Sequence, residues 1–502
     1  TASMSARLFE AIARHASAGR VAFIGSEPMT YADLQRRIAS YAAGARHEGI
    51  VRGDKVGIVA AKHVTAIAAY LGMMQAGACV GFMDPDLAPA AIVEQADIVG
   101  IRHLVVDETA IGRVDHEQLR EHEALRGLSL RALHALDTGG HFIDDGLGSE
   151  DAAMLLFTSG STGGAKGVLL RHGSLIVNAE GVTRHTGVSP RDRLVHVMPL
   201  YHTNGINNQV IVPLLAGASI ILLDRFRPEP TLEALRRDTP TYMTGVPTMF
   251  ARLLPHLRPG ERFPSLRFLR CGSAPITPEL HQQVEEAFGV PLIVSYGLSE
   301  ATCTSTMNPP GRRKIGTIGT VLAGQDVRVF DPATNVEVAP GCEGEIRIAG
   351  PTLMAGYLGN AGSVEPGVPV SPVIVDGWLR TGDLGRFDDE GYLSITGRLK
   401  DVIIRGGENI SPGVIERQLS THPAVHECCV VGVPHADLGE VPIAFVVLHD
   451  GAVLDEPDLK AHVHRTLGRI YVPAEIRQLD ALPLMGVGKI DRKRLRSSLG
   501  VK

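Results

Sequence analysis

The sequence predicts an α/β protein with a large N-terminal domain of mostly parallel, helix-covered sheets, a β subdomain and a small α+β C-terminal domain. Three observations predict it. Strand-like and helix-like segments alternate through most of the chain, the texture shifts to short β segments from about Ile315, and from about Lys400 a separate set of helices and strands begins. With 502 residues, of which 44% are hydrophobic, the chain has enough core for about three units of roughly 150 residues each.

The elements follow in order. "MTYADLQRRIASYAAGARHEG" offers Thr30 as an N-cap and Asp33 at the third helical position, then apolar residues at helical spacing. "KVGIVAA" (Lys55 to Ala61) reads as a strand, "VTAIAAYLGMMQAGA" as a buried helix, and "CVGFMDP" as a strand closed by Pro85. Strands recur at "DRLVHVMPL", "ASIILLD", "PTYMTGVP", "RFLRCGSAP" and "VPLIVSYG", several of them followed by turns rich in Gly, Ser or Pro. In a mostly parallel sheet, such turns at the carboxyl ends of strands are where ligands sit. The β segments "DVRVFDP", "GEIRIAG" and "GYLSITG" make the β subdomain, about 315–399. In the tail, Ser411 caps a helix with Pro412 at its first position, strands run Glu427 to Val433 and Val441 to Leu448, and a helix begins near Glu456. "GNAGSVEPGVPVSP" (Gly359 to Pro372) reads as a flexible loop.

Composition excludes several classes. The formal charge of −6 argues against nucleic acid or an acidic membrane as the main partner. The opening "TASMSARLFEAIARHASAGR" is broken by Arg7, Glu10 and Arg14 and does not read as a signal peptide. The longest apolar run, Ile211 to Leu223, carries Pro213 and Gly217 and is too short for a bilayer. The six cysteines lack zinc spacing, and adjacent Cys428 and Cys429 would face opposite sides of a strand, so free thiols in a cytoplasmic protein are expected.

One stretch asks for a ligand. In "LLFTSGSTGGAKGVLLRH" four glycines (160, 163, 164, 167), the hydroxyls of Thr158, Ser159, Ser161 and Thr162, and Lys166 make an anion cradle suited to phosphates. It is not a Walker A loop, which would need Gly at Ala165 and Ser or Thr at Gly167.

"FTSGSTGGAKG", "YGLSE", "GWLRTGD", "GRLKDVIIRGGENISP" and "GKIDRKRLR" occur in the order and rough spacing of the adenylate-forming superfamily, which the chain resembles over nearly its whole length, in its acyl- and aryl-CoA ligase branch. The resemblance implies attack of a carboxylate on the α-phosphate of ATP, giving an acyl-adenylate and pyrophosphate, followed by displacement of AMP by a thiol. It implies that Thr158, Ser159, Gly160, Ser161, Thr162 and Gly163 with Lys166 hold the β- and γ-phosphates. Tyr296 and Gly297 would bound the adenine opposite a wall of Gly272, Ser273, Ala274 and Pro275. Ser299 would reach the α-phosphate, Glu300 would hold Mg²⁺, Asp383 would take the ribose, and Arg398 would help hold the ribose or a phosphate. Lys489 would bridge carboxylate and α-phosphate, entering from a mobile domain, 400–502, that swings about Lys400 and then brings in Gly406, Gly407 and Glu408 to line the thiol's path. His202 in "PLYHTNG" would lie near the acyl carboxylate, and Asn207, Val246, Gly272 and Leu298 would line the acyl pocket.

The three amides of "INNQV" stand either toward that pocket or on a helix surface. The sequence departs from the family at Ala165, where a proline is usual, and at Leu484 and Met485, apolar where polar residues would help seat Lys489. The expected function is that of an ATP-dependent acyl-CoA ligase using Mg²⁺, with ATP, CoA and a carboxylic acid as substrates. Alternatives are an enzyme loading a carrier protein, one performing only the thioester step, and a non-catalytic nucleotide-binding protein.

Overall fold

A computed structural model describes residues 6–107, 127–159, 165–359, 369–370, 373–485 and 488–501. The segment read as a loop from Gly359 to Pro372 lies, apart from 359 and 369–370, outside the described residues. The chain divides into two compact units, Thr1–Val327 with Ile348–Leu379, and Arg328–Arg347 with Arg380–Lys502.

The first unit is built on two sheets. One has nine strands, and its centre is parallel: Leu292–Tyr296, Phe268–Cys271, Tyr242–Gly245, Arg193–His196, Ser219–Leu222 and Val21–Ile24 lie side by side in that order. The other has eight, with Ala152–Ser159, Cys79–Met83, Lys55–Val59, His103–Val106 and Ser129–Ala132 parallel. Strands covered on both faces need apolar residues on both, and Cys79–Met83 is buried throughout. The helix Val64–Gln75 is buried at nearly every position, as its all-round apolar composition requires. The helix Tyr31–His47 starts as the sequence predicts: Asp33 N–H donates to Thr30 Oγ1 at 3.0 Å and Asp33 Oδ2 accepts from Thr30 N–H at 3.3 Å. Among the described residues, no helix is long and apolar enough to cross a membrane.

The helix His172–Thr186 carries a titratable liability at its first residue. His172 is 3% exposed and its Nε2 has no hydrogen-bond partner among the described residues. Burial pulls its pKa down to about 4, with Asp151 and Asp144 opposing only in part. The unfolded chain therefore binds a proton near pH 6.5 that the folded chain refuses until about pH 4, and stability falls as pH drops through that window. The shift corresponds to about 3 kcal/mol for this residue. Urea unfolding between pH 7 and pH 4 is expected to show this loss, and His172→Gln is expected to flatten the curve; an equally steep curve in the variant would assign the loss elsewhere.

In the second unit a sheet runs Glu408–Ile410, Ile403–Arg405, Gly439–Leu448, Val425–His435, with Glu475–Gln478 added parallel to Gly439–Leu448. Helices Pro412–Ser420, Glu456–Leu467 and Arg492–Ser498 accompany it. Pro412 does open its helix after Ser411, but the Ser411 hydroxyl does not cap it. It donates instead to the Thr396 carbonyl at 2.7 Å, tying the helix start to the strand Leu393–Arg398. Cys428 and Cys429 do face opposite sides of their strand and join different apolar clusters. All six cysteines are free; five are buried and Cys342 is exposed. Burial pushes the thiols of Cys79, Cys428 and Cys429 up to about 12 and those of Cys271 and Cys303 upward as well.

Candidate active site

In the first unit the predicted residues gather where parallel strands end. Ala152–Ser159 and Ala165–Arg171 form an antiparallel pair with Thr158 opposite Lys166. The expected phosphate ligands Gly160, Ser161, Thr162 and Gly163, and the side chain of Ser159, lie outside the described residues. Lys166 itself sits with Nζ 5.1 Å from the centre of the Tyr357 ring, a cation over an aromatic face. The Tyr357 hydroxyl donates to Glu300 Oε1 at 3.1 Å, and burial with the Glu300 charge pushes its pKa up, so it stays a donor. Lys166 and Glu300, from two motifs far apart in sequence, thus meet on one tyrosine. Tyr357 was not foreseen; its short strand Gly356–Leu358 pairs with Ala165–Arg171 across a long stretch of chain, which no local pattern announces.

The adenine-wall and adenine candidates follow two neighbouring strands. After Phe268–Cys271, Gly272 is buried and Ser273 takes a left-handed φ of +69°, with Ala274 partly and Pro275 largely exposed. After Leu292–Tyr296 come Gly297 and Leu298, then a 3₁₀ turn, Ser299–Ala301, that holds Ser299 and Glu300. A Cβ on Gly297 would stand 1.5 Å from the Cys303 carbonyl oxygen, so the turn closes only with glycine there. Thr302 ends it at φ +73°, a strained setting for a threonine. Its hydroxyl donates to the Thr352 carbonyl at 2.7 Å and its own carbonyl accepts from Thr203 at 2.5 Å.

Thr203 belongs to "YHTNG", which leads into a π-helix, Asn204–Ile211, buried along its whole length. Wide helices of this kind concentrate at functional sites. The surface reading of the three amides is therefore overturned. Asn207 Nδ2 donates to Thr203 Oγ1 at 2.9 Å, while its Oδ1 is buried with no partner. Asn208 accepts from Thr304 Oγ1 at 3.1 Å, and Gln209 bridges Val197 N–H (3.0 Å) and the Thr244 carbonyl (3.1 Å). His202 lies obliquely beside Tyr201, and burial, opposed only in part by Asp84, lowers its pKa and so favours the neutral imidazole. Val246 stands just before the helix Pro247–Leu253 at the end of Tyr242–Gly245.

Sequence reasoning also passed over Arg270. It is 3% exposed, donating from Nε to Ser295 Oγ at 3.0 Å and from Nη2 to Thr304 Oγ1 at 2.6 Å. A Cβ on Gly272 would come within 3.0 Å of the same Ser295 hydroxyl.

In the second unit, Asp383 and Arg398 are register partners on antiparallel strands, with Arg398 Nε 3.6 Å from Asp383 Oδ1. Lys400 lies in a 3₁₀ turn, Leu399–Asp401. Gly406 (φ +56°) and Gly407 (φ +84°) form the two-residue turn of a hairpin in which Arg405 faces Glu408. Two positive φ angles suit a type I′ turn, so the hairpin by itself favours glycine at both positions. Glu408 is exposed. Lys489 sits in a hairpin-like closure: its carbonyl accepts from Met485 N–H at 2.7 Å, Leu484 bridges to Ile490, and Asp491 N–H reaches the Pro483 carbonyl at 2.8 Å. Leu484 and Met485 are 57% and 47% exposed.

Two family models match the chain, one described as AMP-binding enzyme over residues 9–358 and one as AMP-binding enzyme C-terminal domain over residues 414–489. Sulfoacetate–CoA ligase of Cupriavidus necator is 40% identical over 351 residues, 68% of this chain and 66% of that protein, just under two thirds of its length. Feruloyl-CoA synthase of an Amycolatopsis species is 33% identical over 483 residues, 95% of each chain. The crystal structure of ATP-bound MatB from Rhodopseudomonas palustris superposes with a TM-score of 0.88 at 29% identity, over 99% of both chains.

Proposed function

This chain belongs to the AMP-binding enzyme family, and from that premise we propose that it is an ATP-dependent acyl-CoA ligase, activating a carboxylic acid as its acyl-adenylate and passing the acyl group to the CoA thiol. What supports this reading most is the meeting of Lys166 and Glu300 on Tyr357 beside the ends of the parallel strands. A cation for phosphates and a carboxylate for a hard metal ion are what the first step needs, because it joins two anions.

In this reading Thr158 and Lys166 hold the terminal phosphates and Glu300 holds Mg²⁺. The residues fit that ion: Glu300 keeps its second oxygen free of any protein hydrogen bond among the described residues. Magnesium bound by one carboxylate and nucleotide phosphates needs no larger protein cage, and it would neutralise charge on the phosphates. Tyr296 and Gly272–Pro275 bound the adenine, and Asp383 with Arg398 takes the ribose. Neutral His202 and the π-helix amide Asn207 face the acid. The domain 400–502 turning about Lys400 exchanges Lys489 for Gly406, Gly407 and Glu408 between the two steps. CoA is the acceptor proposed here; a carrier-protein pantetheine is the second acceptor to test. The names of the relatives span a sulfonated acid and an aryl acid and do not choose between them.

Acid plus Mg-ATP is expected to release pyrophosphate, and added CoA to give the thioester by mass spectrometry. Conversion of preformed adenylates alone would reduce the activity to the thioester step, and ATP binding without either product would leave a nucleotide-binding protein. Tyr357→Phe is expected to raise the Mg²⁺ concentration for half-maximal activity about fivefold, since it removes one hydrogen bond worth about 1 kcal/mol from the carboxylate, with little change in melting temperature. An unchanged Mg²⁺ requirement would separate Tyr357 from the metal.

A further inference from the structure

Arg270 is a buried cation without a counter-ion. It is 3% exposed, yet among the described residues no carboxylate pairs with it, and the groups that bear on its charge are the thiols of Cys303 and Cys271 and the phenol of Tyr242. Burial holds all three of these protonated, so none supplies a negative charge. Burying a guanidinium without a compensating anion is costly, and folds rarely keep one unless something completes it.

The surroundings of Arg270 supply no negative charge either. Its partners are two neutral hydroxyls, Ser295 and Thr304. Thr244, its register partner on the neighbouring parallel strand, is 1% exposed and its hydroxyl has no partner. The Tyr242 hydroxyl, two residues earlier on that strand, is buried and also unpartnered, as is that of Ser305, next to Thr304. The acceptors around it, the Ser295 and Thr304 hydroxyls and the amide oxygen of Asn208, are all neutral, so what the guanidinium fork lacks is a charge, and a carboxylate or sulfonate would supply it.

Two contacts tie this cluster to the residues proposed for the acid: Thr304 donates to Asn208, which follows Asn207 in the π-helix, and the Ser295 hydroxyl lies where a Cβ on Gly272 would come within 3.0 Å. We propose that Arg270 is the subsite for a second anion on the substrate, so that the acid activated is one carrying a fixed negative group, carboxylate or sulfonate, at its far end. The proposal rests on the ligase reading above. One carboxylate goes to the α-phosphate and the second group stays with Arg270, which keeps the substrate in one orientation.

The test uses the full-length enzyme and straight-chain acids of two to six carbons in matched pairs, terminal methyl against terminal carboxylate or sulfonate, with pyrophosphate release as readout. For at least one pair, kcat/KM is expected to favour the doubly charged member by 100-fold or more. Arg270→Met is expected to cut that preference to below tenfold, chiefly through KM for the acid, with KM for ATP unchanged. Arg270→Lys, which keeps the charge and loses the fork, should fall between. If the wild-type enzyme turns over the methyl-ended acids as well as or better than their charged partners, the proposal is overturned while the ligase reading stands. A preference that survives in both variants, with KM for ATP also intact, overturns it too and leaves Arg270 a purely structural residue. Should no acid of either kind release pyrophosphate while an aryl acid such as ferulate does, the proposal is overturned and the ligase reading stands; should none of these acids do so from enzyme that binds ATP, the ligase reading falls, and this proposal with it. The wild-type pairs decide the matter even if neither variant folds.

Discussion

Lys489→Ala is expected to lower acid-dependent pyrophosphate release by at least 100-fold while preformed acyl-adenylate and CoA are still converted at close to the wild-type rate. The first step brings a carboxylate against a phosphate, and a cation between them acts only while that charge is being rearranged. Removing one such preorganised donor from an enzyme costs about 3–4 kcal/mol, or 10²–10³ in rate. The second step needs no such bridge, since the acyl-adenylate is already activated. The turn that carries Lys489 is closed by main-chain hydrogen bonds from Met485 and Asp491, with Leu484 and Met485 largely exposed. The apolar side chains beside the lysine point largely to solvent while these hydrogen bonds are made, and wild-type adenylation is expected at a substantial rate. Equal loss of both half-reactions in Lys489→Ala would assign the lysine to structure instead.

Gly297→Ala is expected to be the most damaging single methyl group that can be added near the adenine candidates. The new Cβ would lie 1.5 Å from the Cys303 carbonyl oxygen and 2.8 Å from the Thr304 Cα, both main-chain atoms that cannot rotate away. Either the turn Ser299–Ala301 moves or the strand end does, and overpacking of rigid backbone costs about 3 kcal/mol or more. Both outcomes displace Tyr296 and Glu300. The purified variant should melt well below the wild type and bind ATP at least tenfold more weakly by calorimetry. A variant with wild-type melting and ATP affinity would show that the loop relaxes freely, contrary to its packing.

These two positions also show what could be read in advance. The α/β architecture was legible because strand and helix signals are local: the capping pair Thr30 and Asp33 and the apolar run Cys79–Met83 each declare themselves within a few residues. The candidate residues were legible as motifs, by resemblance. Their environments were not. Tyr357 reaches Glu300 through strand pairing between distant segments, and Arg270 looks like any strand arginine until three neighbouring elements close over it without a carboxylate. The Ser411 hydroxyl fell to a competing acceptor, the Thr396 carbonyl, that only the tertiary fold supplies. The burial of "INNQV" follows from a π-helix, whose extra residue per turn breaks the spacing on which a surface face would be recognised.

The cysteines have a practical consequence. Five thiols are enclosed and held protonated by burial, and Cys342, in the second unit, is the one that solvent reaches. An enzyme whose product is a thioester thereby offers its own sulfurs little chance of attacking that thioester and taking the acyl group with release of the CoA thiol. The same arrangement makes the unmodified chain a ready spectroscopic specimen. A maleimide fluorophore or spin label should attach at Cys342 alone, and its signal on adding ATP, acid and CoA in turn would report the proposed swing of the domain 400–502 without a single engineered residue.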